Sequence, residues 1–216
     1  DCLKEYESDY KEIIKNKKTK IITTGMIRSY DEVNLILKVS NIIKNLDTTF
    51  NCYIRLRIAS KQIARENIIR FILHLIQQII SYFRLKLNRN LRFKDGYISD
   101  SYLVELIKSS DILFIPRINS INSGNVALGF TFGAITIAPD YGNIGTILKD
   151  YDNPTFSIES EKKSIHNAFC KGIQMVKEGK GKENKIIAQE LWNWEKIGKE
   201  YISFFEELLQ KKFPKK

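Results

Sequence analysis

Residues 111–139 read DILFIPRINSINSGNVALGFTFGAITIAP, and the punctuation of this stretch decides the fold. Asp111 to Ile115 is a compact apolar run closed by Pro116, the pattern of a short buried strand. After a loop, NVALGFTF has helical character, Gly133 stops it, and AITIAP is the next strand. Two buried strands joined through a helix form a βαβ unit, which sets the strands parallel.

The same alternation extends outward. KIITTG is a β-branched run ended by Gly25, a buried strand entering a turn. Asp31 is placed to N-cap EVNLILKVSNIIKNL, whose apolar residues recur at helical spacing. NCYIRLRIAS is a second strand, Gln62 to Leu87 a long helix, RFKDGYI a strand edge, and Asp100 opens the helix SYLVELIKSS. Beyond Pro154, PTFSI is one more short strand. Two helices follow, split near Gly179 and Gly181, the last running from Asn184 to Leu209. Strands alternating with helices from Lys20 to Pro139 predict a Rossmann-like, doubly wound parallel α/β sheet. The predicted organisation is a single domain over residues 20–216 with C-terminal helices, preceded by a polar helix or linker over residues 1–19.

Composition narrows the function classes. At 216 residues and 43% hydrophobic, the chain buries one good core. The net charge of +10 points to an anionic partner (phosphate, nucleotide or an acidic membrane surface) or to no more than a Lys-, Ile- and Asn-rich composition. Nucleic acid is disfavoured, because the lysines are scattered and no nucleic-acid-binding motif occurs. Three cysteines without framework spacing fit a reducing cytoplasm. His74 and His166 lie far apart and no CxxC occurs, so no metal site is expected. Ile68 to Phe83 is interrupted by Arg70, His74, Gln77 and Gln78, and reads as a buried or surface-docked amphipathic helix rather than a membrane span. Cys170 reads as a buried small hydrophobe, and one of Trp192 and Trp194 as a packing residue.

In an open parallel sheet, ligands bind at the carboxyl ends of the strands beside helix N-termini. Two junctions qualify here: TTGMIRSYDE, with Gly25 and Arg28, and IPRINSINSGNVALGF. In the second, Asn122 and Ser123 are N-cap types and Gly124 permits close backbone approach. Free amides at Gly124, Asn125 and Val126 would then face a diphosphate, aided by the helix dipole, with Arg117 and Arg28 adding charge-assisted contacts. The same residues also describe an ordinary capped helix after a loop.

Several segments in order resemble the C-terminal domain of family 4 (group 1) glycosyltransferases of the two-domain GT-B type. GMIRSYDEVNLIL is similar to the "G-x-I-R-x-Y-K" turn that begins that domain. Residues 97–148 resemble its most typical stretch, and Trp194, Ile197 and Tyr201 resemble its closing W-x-x-I-x-x-x-Y helix. The resemblance implies half of a GT-B fold with a nucleotide-sugar donor in the cleft and neither cofactor nor metal. Carried over, Gly25 and Arg28 face the donor phosphates, Ser123, Gly124 and Asn125 form the cradle, and Gly96, Tyr97, Ile98 and Asp100 fall where the base is contacted. Departures from the pattern are explicit. Asp31 stands for the usual lysine, Ile121 and Gly129 for the two glutamates of E-x7-E, Ile135 for a proline and Ser60 for a glycine, with Lys61 next to it as a basic residue in reach of phosphate.

The implied activity is transfer of a sugar from a nucleotide sugar to a saccharide or lipid-linked acceptor, in surface polysaccharide or glycoconjugate biosynthesis. The alternative is a catalytically silent binding or interaction module on the same fold. The catalytic groups are not assigned, and an N-terminal GT-B domain is expected as the partner of this one. The chain is then a piece of a longer cytoplasmic protein, inactive alone, whose charge allows peripheral contact with an acidic membrane.

Overall fold

A computed structural model describes residues 18–58, 67–158 and 162–212. Most of the expected N-terminal helix or linker lies outside the described residues, as do Ser60 and Lys61; Thr19 already opens the first strand.

Six strands form one sheet: β1 (Thr19–Ile27), β2 (Thr48–Leu56), β3 (Arg92–Asp95), β4 (Ile112–Phe114), β5 (Ile135–Pro139) and β6 (Thr155–Phe156). Their order is β3-β2-β1-β4-β5-β6, and every neighbouring pair is parallel. The helices among the described residues are α1 (Tyr30–Ile43), α2 (Ile68–Lys86), α3 (Asp100–Lys108), α4 (Gly124–Thr131), α5 (Gly142–Asp150), α6 (Lys162–Lys177), α7 (Gly181–Leu191) and α8 (Trp194–Lys212). This is the doubly wound, Rossmann-like sheet expected from the sequence.

Strand residues alternate between two cores because successive side chains leave a strand on opposite faces. Ile21, Ile112, Phe114, Ile135 and Ile137 pack on one face against α1, α6 and Leu85 of α2. Ile22, Leu113 and Ala138 pack on the other, against α3, α4, α5 and α7. Parallel strands covered on both faces are apolar nearly throughout, which is why DILFI and AITIA carry no polar alternation.

Polar groups close the gaps at the short β6 edge. Asn153 accepts from the Thr136 amide at 2.9 Å, standing in for a strand partner that β6 is too short to supply. Asn184 donates to the Ala134 carbonyl at 2.9 Å and pairs with Asn153, pinning α7 to the sheet.

Several boundaries differ from the sequence reading. Gly25 lies inside β1 rather than ending it, because the pairing with β2 continues to Ile27 opposite Leu56. Ser29, not Asp31, caps α1, its hydroxyl accepting from the Glu32 amide, while Asp31 is exposed in the first turn. The terminal helix is two helices. Asn193 accepts from the amides of Glu195 and Lys196 and so starts α8 afresh. The Trp192 ring packs edge-on to Phe130 at 5.9 Å, whereas Trp194 is exposed. Cys170 is half-buried beside the His166 ring rather than sealed in the core; Cys52 is fully buried, and burial pushes its thiol pKa up.

Candidate functional site

From β1 the chain moves outward to β2 and β3, then returns across the sheet to β4 on the other side of β1. The loops after β1 and β4 therefore diverge, and the crevice between them at the carboxyl ends is the switch-point position at which open α/β sheets bind ligands.

The first wall is the end of β1. Gly25 adopts φ +110°, a backbone setting that suits glycine, and a Cβ there would lie 3.5 Å from Asn125 Nδ2. Asn125 donates from that same Nδ2 to the Thr24 carbonyl at 3.1 Å. The first turn of α4 is thus bolted to β1, which brings the two predicted junctions into contact.

The second wall is the start of α4. Ser123 is the N-cap in extended conformation, its hydroxyl accepting from the Asn125 amide at 3.3 Å and its carbonyl from the Val126 amide at 3.1 Å. The open three-amide cradle is therefore corrected. A serine cap satisfies the very donors that were expected to face an anion. Among the described residues the Gly124 amide at the helix start has no partner, and a Cβ at this position would meet nothing within 4 Å, so this corner is open. Asn122 is exposed, its carbonyl accepting from the Ser120 hydroxyl.

The two arginines differ. Arg28 is exposed, and its side chain has no hydrogen bond or ion pair among the described residues. Arg117 is engaged: Nη1 donates to Glu32 Oε1 at 2.8 Å and Nη2 to the Met26 carbonyl at 2.7 Å. Both members of this pair are mostly buried, so the guanidinium clamps the β4–α4 loop to β1 instead of standing free. Glu32 completes the knot by accepting from the Arg28 amide at 2.8 Å. It is the site residue that the sequence reading missed, although Ser29-x-x-Glu32 carries the capping-box spacing.

The remaining positions are spread along the same rim. Gly96, with φ +145°, turns the chain off β3, and Tyr97 (80% exposed) and Ile98 follow it two strands from β1. Gly129, aligned with a family glutamate, faces the sheet instead of the cleft. A Cβ there would collide with the Thr136 side chain and press on Leu113. Ile121 is exposed and its backbone packs against Gly142. Among the described residues, no group of three His, Cys, Asp or Glu side chains is placed to hold a metal ion.

Strand order β3-β2-β1-β4-β5-β6, all parallel, with an open helix start at the switch point, makes this a Rossmann-like architecture. Solved structures narrow this further. The C-terminal domain of a group 1 family glycosyl transferase from Francisella tularensis superimposes with a TM-score of 0.55 at 15% identity, covering 82% of this chain and 87% of that one. A glycosyltransferase from Rickettsia africae gives 0.61 at 13% identity, covering 96% of this chain and 52% of that one. A sucrose-phosphate synthase from Thermosynechococcus elongatus gives 0.62 at 14% identity, covering 91% and 47%. The fold is that of the C-terminal domain of GT-B glycosyltransferases, and the chain spans about half the length of the latter two proteins. No protein-family model and no curated protein matches the sequence.

Proposed function

We propose that this chain is the donor-binding half of a glycosyltransferase that moves a sugar from a nucleotide sugar to a saccharide or lipid-linked acceptor, in surface polysaccharide or glycoconjugate biosynthesis. One observation carries the reading. Asn125 fastens the start of α4 to the end of β1, so the Gly25 backbone, the free Gly124 amide and the exposed Arg28 belong to one rim. An amide at a helix N-terminus on the same rim as an exposed guanidinium suits a departing diphosphate, whose growing charge it would stabilise without a metal or cofactor. Tyr97 and Ile98, farther along the rim, would contact the base. The acceptor and the remaining catalytic groups come from an N-terminal GT-B domain, so the chain alone binds donor without turnover. The enzyme is cytoplasmic; the net charge of +10 supports peripheral contact with an acidic membrane, and the scatter of the lysines without a nucleic-acid-binding motif weighs against nucleic acid.

The test is the melting temperature of the chain with UDP, GDP or ADP at millimolar concentration. Free ligand at about ten times its Kd adds about 1.4 kcal/mol, a rise of roughly 3–6 °C for a domain of this size. No shift with any of the three overturns the reading.

A second reading, a catalytically silent module, has its own support. Arg117 is spent on Glu32, two of the three expected amides are capped internally, and residue 129 has no room for a carboxylate. It requires an unshifted melting temperature and no transfer by the intact two-domain protein.

A further inference from the structure

Helix α2 is built inside out. Ser81 and Leu85 are buried, and Gln78 turns inward, where its Oε1 accepts from the Ile58 amide at 3.0 Å. Ile69, Ile72, Leu73, Ile76, Ile80 and Phe83, at helical spacing on the outer side, are between 45% and 68% exposed. A continuous apolar stripe of this kind on a protein surface marks an interaction face.

Charge selects the occupant. Residues 67–94 contain six cations, Arg70, Arg84, Lys86, Arg89, Arg92 and Lys94, and no carboxylate. A second copy docked on this face would bring only cations against cations. The stripe also lies along the flank of the sheet. Helix α2 packs on α1 and on the edge strand β3 and, at 19 residues, runs about 28 Å from one rim to the other. Helix α8 is the contrast: its exposed Ile202, Phe204, Phe205 and Leu208 are interleaved with Glu200, Glu206 and Glu207, a mixture that suits a protein partner. An exposed apolar helix that carries Arg70, Arg84 and Lys86 and no carboxylate of its own matches the boundary between acyl chains and anionic headgroups.

The geometry points to α2 as a membrane-docking element that lies in the plane of an anionic phospholipid surface, with Ile69, Ile72, Ile76 and Phe83 inserted below the headgroups. Helix α2 is also long and apolar enough to cross a membrane by length and composition, but its inward contacts through Gln78, Ser81 and Leu85 hold it against the domain. Vesicle binding by this face is tested independently of donor binding.

Flotation of the 216-residue chain with phosphatidylcholine vesicles, with and without phosphatidylglycerol, tests the assignment. The chain is expected to float with the anionic vesicles at low salt and to stay behind with neutral ones. The triple variant Ile72→Ser, Ile76→Ser, Phe83→Ser is expected to lower partitioning roughly tenfold or more. The variant Arg70→Gln, Lys86→Gln, Arg89→Gln is expected to weaken it several-fold and flatten its salt dependence. Phe205→Ser with Leu208→Ser on α8 leaves it unchanged. All these side chains are exposed, so an unaltered melting temperature certifies that each variant is folded. Equal binding to neutral vesicles, retention by the triple α2 variant, or a dimer abolished by that variant in place of vesicle binding overturns the assignment.

Discussion

Glu32 ties together three parts of the rim: the guanidinium of Arg117, the amide of Arg28 and, through its own amide, the Ser29 cap. With its carboxylate and Arg117 both mostly buried, neutralising one leaves the other without its counter-charge. Glu32→Gln is expected to cost about 2–4 kcal/mol of stability, read from the urea midpoint; a loss under about 0.5 kcal/mol would show the pair to be idle. Arg28 behaves oppositely. Exposed and without a side-chain partner among the described residues, it should be replaceable by alanine with a stability change inside about 0.5 kcal/mol, while the nucleotide-induced rise in melting temperature disappears. A retained rise in Arg28→Ala removes that side chain from the donor site. These two residues also mark what a single sequence conveys. The cap was readable, since Ser29 and Glu32 stand at capping-box spacing and compete successfully with Asp31. The partnership of Glu32 with Arg117 spans 85 residues and leaves no periodic trace, so Arg117 read as a free cation. Ser123 is legible as a cap type, yet that its hydroxyl and carbonyl take up the Asn125 and Val126 amides follows only from the folded geometry.

At the level of elements, strand pairing and backbone clearance override local signals. Gly25 looks like a stop, but nine paired positions between β1 and β2 carry the strand through it. Gly181 is set by its neighbour rather than by a turn. Gly181 opens α7 directly against Gly133, and a Cβ on Gly181 would strike the Gly133 carbonyl oxygen. This contact and the Phe130–Trp192 ring pair join α4, which carries the candidate site, to α7. Gly181→Ala is expected to destabilise by about 1–3 kcal/mol through overpacking, whereas Gly198→Ala, with nothing within 4 Å of its Cβ, should be neutral or slightly stabilising. Equal effects of the two in thermal unfolding would mean that α4 and α7 are not in register as described. The helical period of α2 was legible, but its inversion was not. An apolar stripe in sequence does not say which way it points, and only the polar contacts of Gln78 and the burial of Ser81 show that the stripe faces out.

For the molecule as a whole, burial is graded across the sheet, and the candidate site sits on the strands where it is deepest. Ile21, Ile22, Ile112, Leu113, Phe114 and Ile137 are at most 1% exposed and packed from both faces, while β3 at the sheet edge and the outer faces of α2 and α8 remain largely open. The alternation of buried runs with helices made this parallel, two-faced architecture legible from residues 111–139 alone, since only strands covered on both sides are apolar at every position. Opening free energies should follow the same gradient, because local unfolding exposes least where contacts are fewest. Native-state hydrogen exchange is therefore expected to be slowest in β1, β4 and β5 and to approach the global unfolding free energy there. Amides of β3 and α8 should exchange through smaller openings. Saturating nucleoside diphosphate should slow exchange further at the starts of α1 and α4, leaving β6 and α6 unchanged, because the ligand rim is anchored on β1 and β4 rather than on the sheet edge. Protection of β3 equal to that of β4 would mean that the sheet does not end at β3, and nucleotide protection confined to β6 would move the binding site away from the switch point.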